Sequence, residues 1–139
     1  MTEAEGVSFR RLAASDRATV IGLIRAYYAG EGYEFSRPNI ERAIDEIVAG
    51  AGLGHLWLIE RSGGVVGYLC LAAGFSLEAG GGDYFLDEIY VTPAARGVGL
   101  GTMALDYAEQ QCRALGARRL SLVTERANPR TRAFYERRG

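Results

Sequence analysis

A chain of 139 residues and 15.1 kDa is long enough to bury one core without staples and short enough for one domain, residues 1–139. Its 16 basic and 17 acidic residues leave a formal charge of −1; every basic residue is arginine and none forms a stripe, which argues against a nucleic-acid partner. The acidic start at Glu3 and Glu5 is unlike a secretion signal, and no apolar run nears the roughly 20 residues of a membrane span, so no membrane partner is expected.

Cys70 lies in an apolar run and Cys112 on a helical pattern, neither with metal or redox spacing. Both read as small buried thiols of a reducing, cytoplasmic setting, with no metal site.

Val7 to Arg11 alternates apolar and polar residues, as a first strand does. Ser15 or Asp16 is placed to cap a helix whose Val20, Ile24, Tyr27 and Tyr28 share a face, with Gly30 and Gly32 at its end. A second helix runs from Ser36 and Pro38 through Ile40, Ile44, Ile47 and Val48 to a stop at Gly50. The intervening Glu31 to Phe35 reads as an exposed aromatic turn. Leu56 to Glu60 and Val65 to Phe75 form a hairpin across Ser62, Gly63 and Gly64. A polar, glycine-rich stretch from Glu78 to Asp83 precedes a fourth strand, Tyr84 to Val91.

Beyond it, Leu105, Ala108, Cys112 and Leu115 repeat at helical spacing up to Gly116; Leu120 to Thr124 is a further strand, and Asn128, Pro129 and Phe134 open a last helix. The order β-α-α-β-β-β-α-β-α specifies an α/β fold with a mixed sheet. One helical crossover makes the fourth and fifth strands parallel.

Arg96-Gly97-Val98-Gly99-Leu100-Gly101 follows a strand and opens a helix, so backbone N–H groups converge where missing side chains permit close approach. That is a cradle for a phosphate. The spacing lacks the third glycine of the dinucleotide fingerprint, Thr92 to Ala95 lengthens the turn, and no lysine follows as in nucleoside-triphosphate loops. A plain tight connection is the alternative.

Asp87-Glu88-Ile89-Tyr90-Val91, four further residues, then Arg96-x-x-Gly99-x-Gly101 resembles the acetyl-CoA signature of the GNAT superfamily. Asn128, Ala133, Phe134, Tyr135 and Gly139 are similar to its second signature. The resemblance implies the GNAT fold and an N-acetyltransferase that moves acetyl from acetyl-CoA to a primary amine of a small molecule or peptide in a ternary complex. It implies that backbone groups of Ile89, Tyr90 and Val91 pair with the pantetheine arm, and that Arg96, Gly97, Val98, Gly99, Leu100, Gly101 and Thr102 hold the pyrophosphate. Asn128 is a cofactor contact, a helix cap, or both. A module that binds CoA without turnover is the rival reading.

An attacking amine must first lose a proton, and Asp87 and Glu88 are the candidate bases, set by strand alternation on opposite faces. By resemblance Asp87 holds the frequent base position with Glu88 second, and Tyr135 matches the acid that serves the leaving thiolate. The resemblance also implies that Tyr28 and Tyr33, with Phe35, wall the acceptor pocket, while Tyr27 reads as core. Phe75 and Glu78 border the glycine-rich loop, where an acid suits a cationic acceptor; Asp83 reads there as a solvated residue and His55 as structural. The family continues past the position of Gly139 into two more strands. The chain therefore reads as a GNAT domain lacking them, completed by further sequence, by a second copy in a homodimer, or left with an open edge.

Overall fold

The structure is a computed structural model that describes residues 6–122. Six strands form the sheet: β1 (Val7–Arg11), β2 (Gly54–Arg61), β3 (Gly64–Ala72), β4 (Phe75–Ser76), β5 (Gly81–Val91) and β6 (Arg119–Leu122). Three helices accompany them, α1 (Arg17–Glu31), α2 (Arg37–Val48) and α3 (Leu100–Ala114). The strand order is β1-β2-β3-β5-β4, with β6 also on β5; among the described residues only the β5–β6 pair is parallel.

Local chemistry accounts for most boundaries. Ser62 at φ 52° and Gly63 at φ 84° make the two-residue β2–β3 turn, matching the twist of an antiparallel pair. Gly32, at φ 74°, ends α1 in the left-handed conformation, and Ser36 accepts the Asn39 N–H at the start of α2. Asp16 precedes α1 but does not cap its N–H groups; its carboxylate accepts from Ala13 N–H at 2.8 Å and from Arg10 at 2.7 and 3.0 Å.

Period-two alternation feeds two cores, one on each face of the sheet. Trp57, Ile59, Leu69, Leu71 and Leu86 pack under Ala104, Leu105, Ala108 and Cys112 of α3. Leu56, Leu58, Tyr68 and Tyr90 face Val20, Ile21, Ile24 and Ile44 of α1 and α2. Gly67 permits a close approach of β3 to β5, because a Cβ there would stand 2.1 Å from the Tyr90 carbonyl oxygen.

Several expectations change. The run expected to end at Phe75 stops at Ala72, and Phe75–Ser76 is a separate short strand paired with Gly81 and Gly82. Asp83 belongs to β5 rather than a solvated loop. It is buried, bonded to Arg119 Nη2 at 2.7 Å and to the Ser121 hydroxyl at 3.0 Å, and the Arg119 contact holds its carboxyl below the usual range. Val123, Thr124 and the last helix lie outside the described residues.

Candidate active site

The β3–β5 register is regular from Gly67↔Val91 to Cys70↔Glu88 and then jumps to Leu71↔Leu86. Asp87 is the extra residue of a β-bulge. The insertion breaks strict alternation, so Leu86 packs in the α3 core whereas Glu88 points at Tyr68 and Tyr28 on the other face. Asp87 does not take the opposite face as alternation predicts. It lines a groove of about 220 Å³ with Glu46 and Ile47 of α2, Leu53, and Cys70 and Ala72 of β3.

The two carboxylates have unlike surroundings. Asp87 is exposed. Glu88 is 9% exposed; its Oε1 accepts from the Tyr68 hydroxyl at 2.7 Å, and its Oε2 accepts from the Tyr28 hydroxyl. Burial pushes the Tyr68 hydroxyl far up, reinforced by the charge and hydrogen bond of Glu88. Half-buried Cys70 is likewise pushed up, by burial first and then by Asp87 and Glu88.

Tyr68 escaped the sequence reading, which absorbed it into an apolar strand. No signal in the sequence could have found it, because its approach to Glu88 follows from the β3–β5 register, which sets Tyr68 opposite Tyr90 and Cys70 opposite Glu88.

Around this carboxylate the aromatic turn closes. Tyr28 lies 5.8 Å from Tyr33 and 6.2 Å from Phe35 between ring centroids, and Tyr27 packs between Tyr28 and Tyr90. Tyr33 and Phe35 are half-buried rather than fully exposed. Phe75 and Glu78 are not brought to the pair. Phe75 faces Gly82, five residues or roughly 17 Å along β5 from Asp87, and Glu78 lies 3.5 Å from Arg119. His55 stacks near Trp57 and lies beside Arg11. Tyr135 and Asn128 lie outside the described residues.

At the far end of β5, Val91 leads through a 3-10 turn, Pro93–Ala95, into the glycine turn. Arg96 Nε donates to the Val91 carbonyl at 2.8 Å and its guanidinium lies 5.7 Å from the Tyr90 ring, tying the turn to the strand end. Gly97 and Gly99 adopt φ 88° and 84°, and Gly99 is the N-cap of the 15-residue α3. Among the described residues no side chain caps that terminus, its first turn carries no acid, and a Cβ on Gly97 would meet nothing within 4 Å. This open helix start fits a pyrophosphate. Leu100 and Tyr90 have buried side chains, so they offer backbone only. Gly101 and Thr102 continue the first turn of α3. Among the described residues β6 pairs β5 from Asp83 to Leu86.

A mixed sheet with a bulged acidic strand running into an anion-ready helix start defines a CoA-dependent acyltransferase. The chain belongs to the GNAT acetyltransferase family, whose model, described as "Acetyltransferase (GNAT) family", matches residues 22–139. It is 28% identical over 137 residues to the uncharacterized N-acetyltransferase YhfO of Bacillus subtilis (strain 168), covering 96% of this chain and 89% of that one. Integron cassette protein HFX_CASS3, from the mobile metagenome of Cole Harbour Salt Marsh, is similar in structure, with TM-score 0.78, 35% identity, and coverage of 85% of this chain and 78% of that one. A predicted acetyltransferase from Clostridium acetobutylicum, crystallised with acetyl-CoA, shares the fold at TM-score 0.80 and 18% identity over 96% of this chain and 88% of its own. The family uses acetyl-CoA, and its members act on amine acceptors.

Among the described residues no helix is long and apolar enough to cross a membrane, and no group of metal-ligating side chains is present.

Proposed function

We propose that this protein transfers acetyl from acetyl-CoA to a primary amine of a small molecule or peptide by direct attack in a ternary complex. The observation that carries the reading is the bulge at Asp87. It gathers two carboxylates at mid-strand, and the same strand ends in the anion-ready turn.

Acetyl-CoA supplies an activated thioester carbonyl; the protein must supply a deprotonated amine beside it. A lysine-like amine with a pKa of about 10.4 is mostly protonated at neutral pH, a handicap of roughly 4–5 kcal/mol. A nearby carboxylate relieves that handicap by accepting the proton. Asp87, exposed in the groove, attracts the cation, and the next residue, Glu88, is buried. Tyr28 and Tyr33 wall the acceptor side. By the family resemblance Tyr135 serves the departing thiolate and Asn128 contacts the cofactor.

The test is release of free thiol from acetyl-CoA across a library of primary amines, alongside a CoA-binding measurement. Amine-dependent release supports the transferase. Binding without release with any amine refutes it in favour of a binding module.

A further inference from the structure

Glu88 is held by two tyrosines of different character. Tyr68 sits on β3 opposite Tyr90, is 0% exposed, and bonds Oε1 at 2.7 Å, so its hydroxyl is a sealed anchor. Tyr28 bonds Oε2 from the last turn of α1, where it is half-buried beside Tyr33 and Phe35. A carboxylate sealed beneath the surface exchanges a proton with a group outside through an intermediary that both accepts and donates. A phenol does both.

We propose that Tyr28 meets the acceptor amine and relays its proton to Glu88, while Tyr68 is a positioning residue that holds the receiving carboxylate. The proposal rests on the acetyltransferase reading above. In the step, an N–H bond of the ammonium breaks and its proton passes to Tyr28 Oη as the Tyr28 O–H proton passes to Glu88 Oε2. The freed nitrogen lone pair forms the C–N bond at the thioester carbonyl, the C–S bond breaks with its electron pair on sulfur, and the second nitrogen proton ends on that sulfur. The proton on Glu88 returns to solvent by the same path. Exposed Asp87 attracts the cation without having to take its proton.

The experiment uses the whole chain, acetyl-CoA, the fastest primary amine from the thiol-release screen, and the β,β-difluoro analogue of that amine. The analogue keeps nearly the same shape, but its two fluorines bring the ammonium pKa close to neutrality, so in assays run at about pH 8.5 it is largely free base while the parent amine stays protonated, and it has little need of a relay. Tyr28→Phe should lower kcat/KM for the basic amine about 100–1,000-fold, the lower part of the range for losing one acid–base group. For the analogue the loss should stay below about threefold, within ordinary contact effects. Tyr68→Phe should show the same selectivity at smaller size. Equal losses with both amines mean that Tyr28 only shapes the site, which overturns the relay while the transferase stands. A parent without turnover on any amine overturns both.

A second readout needs no turnover. In the protein alone, with ¹³C at tyrosine Cζ, Glu88→Gln should move the Tyr28 and Tyr68 resonances, and unmoved resonances overturn the clamp.

Discussion

Gly67→Ala tests whether the packing of β3 on β5 shapes the cofactor strand. An ideal Cβ at Gly67 falls 2.1 Å from the Tyr90 carbonyl oxygen and 3.1 Å from both the Tyr90 carbonyl carbon and Val91 Cα, all backbone atoms that no rotamer change can move. Restoring a carbon–oxygen distance near 3.3 Å requires the strands to part by about 1 Å. That stretches the ladder around the Gly67↔Val91 and Tyr68↔Tyr90 pairs. Losing about two ladder bonds at roughly 1 kcal/mol each, plus about 1–3 kcal/mol of overpacking strain, gives a loss of about 3–5 kcal/mol. For a domain of this size that corresponds to a fall in Tm of roughly 10–20 °C. Urea and thermal denaturation followed by circular dichroism measure it, with Gly22→Ala as the contrasting substitution. Gly22 lies within α1 with nothing within 4 Å of an added Cβ, so alanine there should raise stability by about 0.5–1 kcal/mol. A Gly67→Ala protein within about 0.5 kcal/mol of the parent would refute the reasoning, since surface-like tolerance is incompatible with that contact.

Replacing Gly99 by valine puts a β-branched side chain at φ 84° and crowds the start of α3, so CoA-dependent thermal stabilisation should vanish; a shift equal to the parent's would remove the turn from the site. Tyr68 and Cys70 both titrate higher in the folded state than in the unfolded chain, so the stability they contribute is complete below the unfolded values and is lost as pH rises past them. Urea midpoints should therefore fall above about pH 9, with Cys70 slow toward thiol reagents until unfolding; a flat midpoint up to about pH 11 contradicts this. Asp16 and Asp83 are held low chiefly by Arg10 and Arg119, so their contribution is present above the unfolded carboxyl value and is lost as pH falls through about 4 and below. Asp16→Asn should flatten that acid limb, and an unchanged limb would show that the pair with Arg10 does not set it.

Short-range signals made much of this protein legible from its sequence. Ser62-Gly63 specifies a tight turn through its φ requirements, Ser36 and Pro38 a helix start, and the glycines after Arg96 an open helix N-terminus, because each acts within a few residues. The family signature carried the fold and the acetyl-CoA use on the same local residues. Tertiary structure alone decided which carboxylate is buried. A bulge exists only relative to a partner strand, so the displacement of Asp87 and the turning of Glu88 toward α1 follow from the β3 register rather than from the alternation of β5. The hydroxyls that clamp Glu88 stand 20 and 60 residues away along the chain, and Asp83 finds Arg119 36 residues on. Contacts at such separations leave no periodic or compositional trace, because the two segments meet only once the sheet has formed and its register is set.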